Sequence, residues 1–300
     1  MNPTDRARAC FVRACELDVA VRKPGNVSRE SSGHGMHADM FIASAHAAAG
    51  PLFEPGARVG QRIEAAVAAT WEVAGCNTNL GILLLCAPIA LAVEQQPDAL
   101  TASALHEAIK AVLSDLDLAD AQAAYRAIAR ARPGGLGSAP EQDVHQPPSV
   151  DLRAAMALAA DRDSIARQYR DGYAELFDAA LAASVKGFSL MQTTAASGAG
   201  SRTVAAVQRL YLALLSRMAD SHIVRNHGEA VAQIVMTAAQ AWLRRSQRNE
   251  TLDAEPEFAA WDASLKTARI NPGTTADLTV AVLLIAGLTD AAASGGTVRE

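Results

Sequence analysis

A chain of 300 residues, half of them hydrophobic, can bury a sizeable core, and its 4% aromatic content with abundant alanine favours close-packed helices over a β-sandwich. A formal net charge of -5, from 27 basic and 32 acidic residues without a dense Lys/Arg block, argues against nucleic acid as a partner. The two most apolar stretches, 82–93 and 278–288, fall short of the roughly 20 residues that a membrane span needs.

Cys10, Cys15, Cys76 and Cys86 make neither a C-x-x-C pair nor an evident disulfide framework, so they read as reduced thiols of a cytoplasmic protein. Asp5, Arg6, Arg8 and Arg13 interrupt the apolar run that a signal peptide would need. Ala9, Phe11, Val12, Leu17 and Val19 predict an amphipathic helix over 4–21, ended by Lys23-Pro24-Gly25-Asn26. After a polar loop to Gly35, His37-Ala38-Asp39-Met40 opens a second helix that runs to Gly50-Pro51, and a third covers 60–71.

Gly75-Cys76-Asn77-Thr78-Asn79-Leu80-Gly81 then runs directly into the apolar segment 82–92, which makes a polar start on a buried helix. Any of Asn77, Thr78 and Asn79 could cap it by accepting from an orphan N–H. The positive end of its dipole suits an anion such as phosphate. Further helices are predicted over 98–113, 118–130 with Asp117 as cap, and 151–183 with a break near Asp161-Arg162-Asp163-Ser164. Others follow over 203–218, 229–245 and 256–269, and a final apolar helix is capped by Thr274 or Thr275 with Asp277 in its first turn. The expectation is about ten helices in a single all-α domain over 1–300.

Between these helices, 132–149 has glycines, prolines and no periodicity, and is expected to be a mobile loop near the functional cleft. Ser197-Gly198-Ala199-Gly200-Ser201-Arg202 matches neither a P-loop nor a dinucleotide fingerprint; it reads as a flexible connector or as a phosphate contact. The run 220–228 is a dense polar insertion between apolar helices.

Lys23-Pro24-Gly25-Asn26-Val27-Ser28, the His37-x-Asp39-Met40 element, Gly75-Cys76-Asn77-Thr78 with Gly81, the 220–228 cluster and Asn271-Pro272-Gly273-Thr274-Thr275-Ala276-Asp277-Leu278 occur in one order. In that order the sequence resembles the triphosphoribosyl-dephospho-CoA synthase family, most clearly over its first and last hundred residues. The resemblance implies an all-helical transferase that joins ATP to 3′-dephospho-CoA. The acceptor 2′-hydroxyl attacks the anomeric carbon of the ATP ribose, adenine leaves, and the triphosphate stays intact. The chain departs from the family where Asn79-Leu80 replaces a histidine and a lysine, where Asn226-His227-Gly228 replaces a glycine pair, and through Arg132-Pro133-Gly134-Gly135-Leu136-Gly137 and Gln142-Asp143-Val144. These departures bear on the acceptor more than on the fold. A related ATP-ribose transferase acting on another precursor, in one-carbon coenzyme biosynthesis, is the alternative, and a noncatalytic nucleotide-binding helical protein is the second.

Under that resemblance Asp39, Asp220 and Asp277 are candidates to hold Mg²⁺ on a polyphosphate or to move protons, although a carboxylate beside a helix N-terminus also serves the dipole. Lys23 and Arg225 are the candidate cations for the triphosphate, next to Pro24 and Gly25. Asn77, Thr78 and Asn79, with Gly273 and Thr274, are placed on ribose or phosphate. His37 could polarise the leaving adenine, His222 and His227 are further candidates, and the spacing of His34, His37 and Asp39 allows zinc. The enzyme readings require Lys23, Asp39, Asn77, Asp220 and Asp277 to line one cleft. ATP and a small-molecule coenzyme precursor are the expected partners, Mg²⁺ the expected cofactor, and a homodimer is compatible with this composition.

Overall fold

Asn2 accepts from the Asp5 N–H at 2.7 Å and Pro3 takes the first helical position, so the chain enters a helix almost at once. The computed structural model describes residues 2–97, 101–184, 200–246 and 251–294. In chain order the helices are α1 (Pro3–Ala20), α2 (Ala38–Leu52), α3 (Val59–Ala74), α4 (Leu80–Gln95), α5 (Ala102–Ser114), α6 (Leu118–Ala131) and α7 (Leu152–Ala159). They continue as α8 (Ser164–Asp171), α9 (Ala174–Ser184), α10 (Ser201–Leu215), α11 (Ser221–His227), α12 (Glu229–Arg245), α13 (Pro256–Thr267) and α14 (Gly273–Ser294). Among the described residues there is no strand, only isolated bridges at Ser28–Ser31 and Gly33–Met36.

The expected all-α class holds, but fourteen α-helices among the described residues replace the expected ten or so. The stretch predicted as one broken helix over 151–183 is broken twice. Asp163 caps α8, and Gly172 and Tyr173 then turn left-handed at φ +67° and +64° to start α9 in a new direction. The polar run 220–228 forms its own short helix, α11. Residue 98 at the predicted start of α5, and 197–199 of the glycine connector, lie outside the described residues.

α4 is buried on every side, with Leu83, Leu85, Cys86, Ala87, Ile89 and Ala90 fully inaccessible, and it packs on α14, α1, α3 and α5. This explains why its sequence reads as a nearly continuous apolar run rather than an amphipathic stripe. α10 divides its faces between two cores: Val207, Leu210 and Leu214 join the large core, while Tyr211, Leu212 and Leu215 face a smaller one with Trp242 and Phe258. Among the described residues no helix is long and apolar enough to cross a membrane.

Two sequence motifs far apart are pressed together by a glycine. Gly25 has φ +82°, and a Cβ there would sit 2.7 Å from Pro272 Cδ and 2.9 Å from Ile270 O. Only a residue without a side chain lets the loop after α1 lie against the loop before α14.

Candidate active site

The N-terminal turns of α4, α8 and α14 converge on one cavity of about 430 Å³, closed on its far side by α7 and the loop 132–151. Each helix turns the positive end of its dipole toward that space, an arrangement that favours anionic ligands. The loop contributes Leu136, Gln142, Asp143 and Val144 to the wall. It is irregular but internally tied, since Asp143 accepts from Ala139 N at 2.7 Å and His145 N at 2.8 Å, and the Tyr125 hydroxyl donates to Gln142 O at 2.8 Å.

Asp277 is the chemical centre of this wall. It projects from the first turns of α14, is half-buried, and has no hydrogen-bond or ion-pair partner among the described residues. Burial raises its pKa well above the usual carboxylate range, and the nearby charges of Asp18, Asp220 and Asp163 push the same way against Arg225. Room for the carboxylate is made by Gly81: a Cβ at that position would fall 2.1 Å from Asp277 Oδ2. Two buried donors lining the same cavity also lack a partner, Nδ2 of Asn79 and Nε of Arg225. Asn79 is only 5% exposed, so its amide has given up water without a protein acceptor in exchange.

The neighbours explain how these groups are held. Asn77 Oδ1 accepts from Leu80 N at 3.1 Å and so performs the predicted capping of α4. Thr78 donates to Ser44 Oγ at 2.7 Å, which ties the α4 start to α2. Asp163 accepts from the Ile165 and Ala166 N–H groups with one oxygen and holds Arg225 Nη1 at 2.6 Å with the other. Gly273 and Thr274 line the cavity. Gly273 leaves space for the imidazole of His222, whose Nδ1 would lie 2.6 Å from a Cβ there. Burial, followed by the positive charge of Arg225, lowers the His222 pKa to about 4, so the ring is neutral in ordinary buffers.

Several expected site residues stand elsewhere. Lys23 is fully buried, 2.8 Å from Asp18 Oδ1 and donating to Asn26 Oδ1 at 2.6 Å, so it is no cation for a triphosphate. Pro24 and Gly25 are buried structural links: Pro24 O accepts from the Tyr211 hydroxyl at 2.8 Å, and Gly25 N donates to Asp262 at 2.9 Å. His37 and Asp39 are exposed at the start of α2 and do not line the cavity. His34 Nε2 lies 2.8 Å from Gly25 O, and its ring is used on the backbone.

Asp220 is consumed by the fold. One oxygen accepts from His222 N and Ile223 N at 2.9 and 3.1 Å, and the other from the N–H and hydroxyl of Thr275, both at 2.7 Å. It therefore starts α11 and pins the first turn of α14 at once. Asp220→Ala is expected to lower stability by on the order of 3 kcal/mol, read as a shifted urea midpoint with unchanged slope. A shift of a few tenths would show that these bonds are replaceable by water.

The three-aspartate metal site is accordingly not assembled, and no group of three or more His, Cys, Asp or Glu able to hold a metal occurs among the described residues. Asp18, Asp163 and Asn271 line the cavity without having been placed there from sequence; of the two further candidate histidines, His222 lines it and His227 does not. Asp163 was legible only as a helix start, Asn271 lay inside the motif before α14, and Asp18 carried no signal of its own.

Residues 4–295 match the CitG family, described as ATP:dephospho-CoA triphosphoribosyl transferase. A protein from Archaeoglobus fulgidus, provisionally assigned as a triphosphoribosyl-dephospho-CoA synthase, has a similar fold. Its crystal structure aligns with a TM-score of 0.58 and 24% sequence identity, covering 83% of this chain and 98% of its own. No protein of curated function matches the sequence. With a family match over nearly its whole length, the chain belongs to the CitG family of ATP:dephospho-CoA triphosphoribosyl transferases and is a transferase of that type.

Proposed function

We propose that the cavity binds ATP together with a hydroxyl acceptor of the 3′-dephospho-CoA kind and transfers the triphosphoribosyl group between them. One observation carries this reading: a carboxylate of raised pKa, Asp277, shares a cavity wall with two buried donors that lack partners, Asn79 Nδ2 and Arg225 Nε. The donors suit phosphate or ribose oxygens, and the carboxyl suits proton transfer from the acceptor hydroxyl to the leaving adenine. In the reaction the bond from C1′ to the adenine nitrogen breaks and a bond from C1′ to the acceptor oxygen forms. The hydroxyl proton ends on adenine, so one carboxyl that accepts and then returns a proton satisfies the balance.

The cavity wall carries Asp18, Asp163, Asp277, Glu141 and Asp143 against Arg162 and Arg225. A triphosphate would add its own charge to these carboxylates, so the nucleotide enters as its magnesium complex. Mg²⁺ then belongs to the substrate, and Asp277, which has no partner among the described residues, would be a carboxylate available to it. The same charge balance, and Asn79-Leu80 at the α4 start, favours as a second reading an acceptor with less negative charge than dephospho-CoA.

The test is an adenine-release assay with ATP, dephospho-CoA and a panel of other hydroxyl acceptors, run with Mg²⁺ and with EDTA. Adenine is expected only with Mg²⁺ and an acceptor. Release with dephospho-CoA supports the first reading, and release only with a less charged acceptor selects the second. Formation of ADP or pyrophosphate instead of adenine would refute both.

A further inference from the structure

We infer that Asn271 binds the nucleotide as a hydrogen-bond donor, and that buried Lys23 fixes this polarity from a distance through Asn26. The inference rests on the reading of the cavity as a nucleotide site and adds to it a residue and the device that orients it. Lys23 Nζ donates to Asn26 Oδ1 at 2.6 Å, and Asn26 Nδ2 donates to Asn271 Oδ1 at 3.0 Å. Asn26 and Asn271 both line the cavity, whereas Lys23 does not.

An ammonium has three donors and no acceptor, so only an amide oxygen can face it. Asn26 must therefore turn its oxygen to Lys23 and its NH₂ to Asn271, and Asn271 must answer with its own oxygen. Both amide orientations follow from the charge on one buried side chain. The remainder is Nδ2 of Asn271, which has no partner among the described residues and stands in the loop that leads to Gly273, Thr274 and Asp277.

The identity of residue 23 supports this account. Burying an ammonium is costly, and here it is offset by Asp18 at 2.8 Å and by the Tyr211 ring, 5.8 Å from the charge. A glutamine or serine could hold the same loop, but either can accept as well as donate and would leave Asn26 able to turn over. A group that only donates removes that freedom. With Asn79 Nδ2 and Arg225 Nε, the wall then offers three donors awaiting oxygen, a match for phosphoryl or ribose oxygens.

Asn26→Asp keeps shape but reverses the message. One carboxylate oxygen still accepts from Lys23, while the other demands a donor, so Asn271 turns its NH₂ inward and shows oxygen to the ligand. Asn271→Asp replaces the outward NH₂ directly. For both variants Mg-ATP affinity by calorimetry without acceptor, and KM for ATP, are expected to worsen at least ~10-fold, with kcat within about 3-fold of wild type. A merely structural role would lower the melting temperature or kcat without this split. Should Asn26→Asp not fold, Asn26→Ser, which breaks the bridge and frees Asn271 to turn, is expected to weaken ATP in the same direction.

Unchanged ATP affinity in folded Asn271→Asp would overturn the donor role. Weak binding there, with full affinity in the folded Asn26 variant, would overturn the relay. A wild-type protein that fails to bind Mg-ATP would instead remove the nucleotide reading, and this inference with it.

Discussion

Asp277→Asn is expected to lower kcat for adenine release by about three orders of magnitude and to leave the protein at least as stable as the wild type. The substitution keeps the shape of the side chain and removes its capacity to take and return a proton. Its effect on stability follows from the same burial. Folding raises the affinity of Asp277 for its proton, so the folded state holds that proton to higher pH than the unfolded chain does. Wild-type stability therefore falls as pH climbs from the unfolded aspartate range, near ~4, up through the raised folded value. An asparagine has nothing to lose over that window. The difference in melting temperature, variant minus wild type, should be small near pH ~4 and grow in favour of the variant as pH rises. A pH-independent difference would contradict the burial argument, and unchanged turnover would return Asp277 to service of the α14 dipole.

Such an exchange of stability for reactivity is expected where a charge is held without a partner. It also marks the part of the site that could be read from sequence. Asp277, Asn77, Thr78, Asn79, Gly273 and Thr274 all reach the cavity, because each lies just before or within the first turns of a helix whose polar start interrupts an apolar run. The helices were legible for a similar reason, since their apolar spacing is a local property.

What escaped depends on pairing across the chain. Lys23 reads as an exposed loop cation until Asp18, in the last turn of α1, is seen to neutralise it in the core. Asp220 reads as a cleft carboxylate until Thr275, 55 positions later, fills its second oxygen. His37 and Asp39 form a motif beside a helix start, but α2 presents that start to solvent. The second break in the 151–183 stretch turns on the left-handed pair Gly172-Tyr173, and only the glycine advertises such a turn.

Gly81→Ala should separate placement of the carboxylate from its presence. A Cβ on Gly81 would stand 2.1 Å from Asp277 Oδ2, 2.6 Å from its Cγ and 2.7 Å from Ile165 Cδ1. These are side-chain atoms, so the structure can yield by swinging the carboxylate and the isoleucine tip aside. Crowding of that kind costs about 1–3 kcal/mol, partly offset by the ~1 kcal/mol that alanine gains over glycine inside a helix. The melting temperature is therefore expected to move by only a few degrees. Activity is a different matter, because a displacement of about 1 Å at a reacting group can cost 10²-fold. Turnover in the adenine-release assay should fall by at least that factor, while Mg-ATP still binds through donors that the substitution does not touch. Gly50→Ala is the control: it lies within α2, where an added Cβ meets nothing within 4 Å, and it should leave turnover unchanged. If Gly81→Ala retains full turnover, the carboxylate seated over Gly81 is not the group that moves the proton.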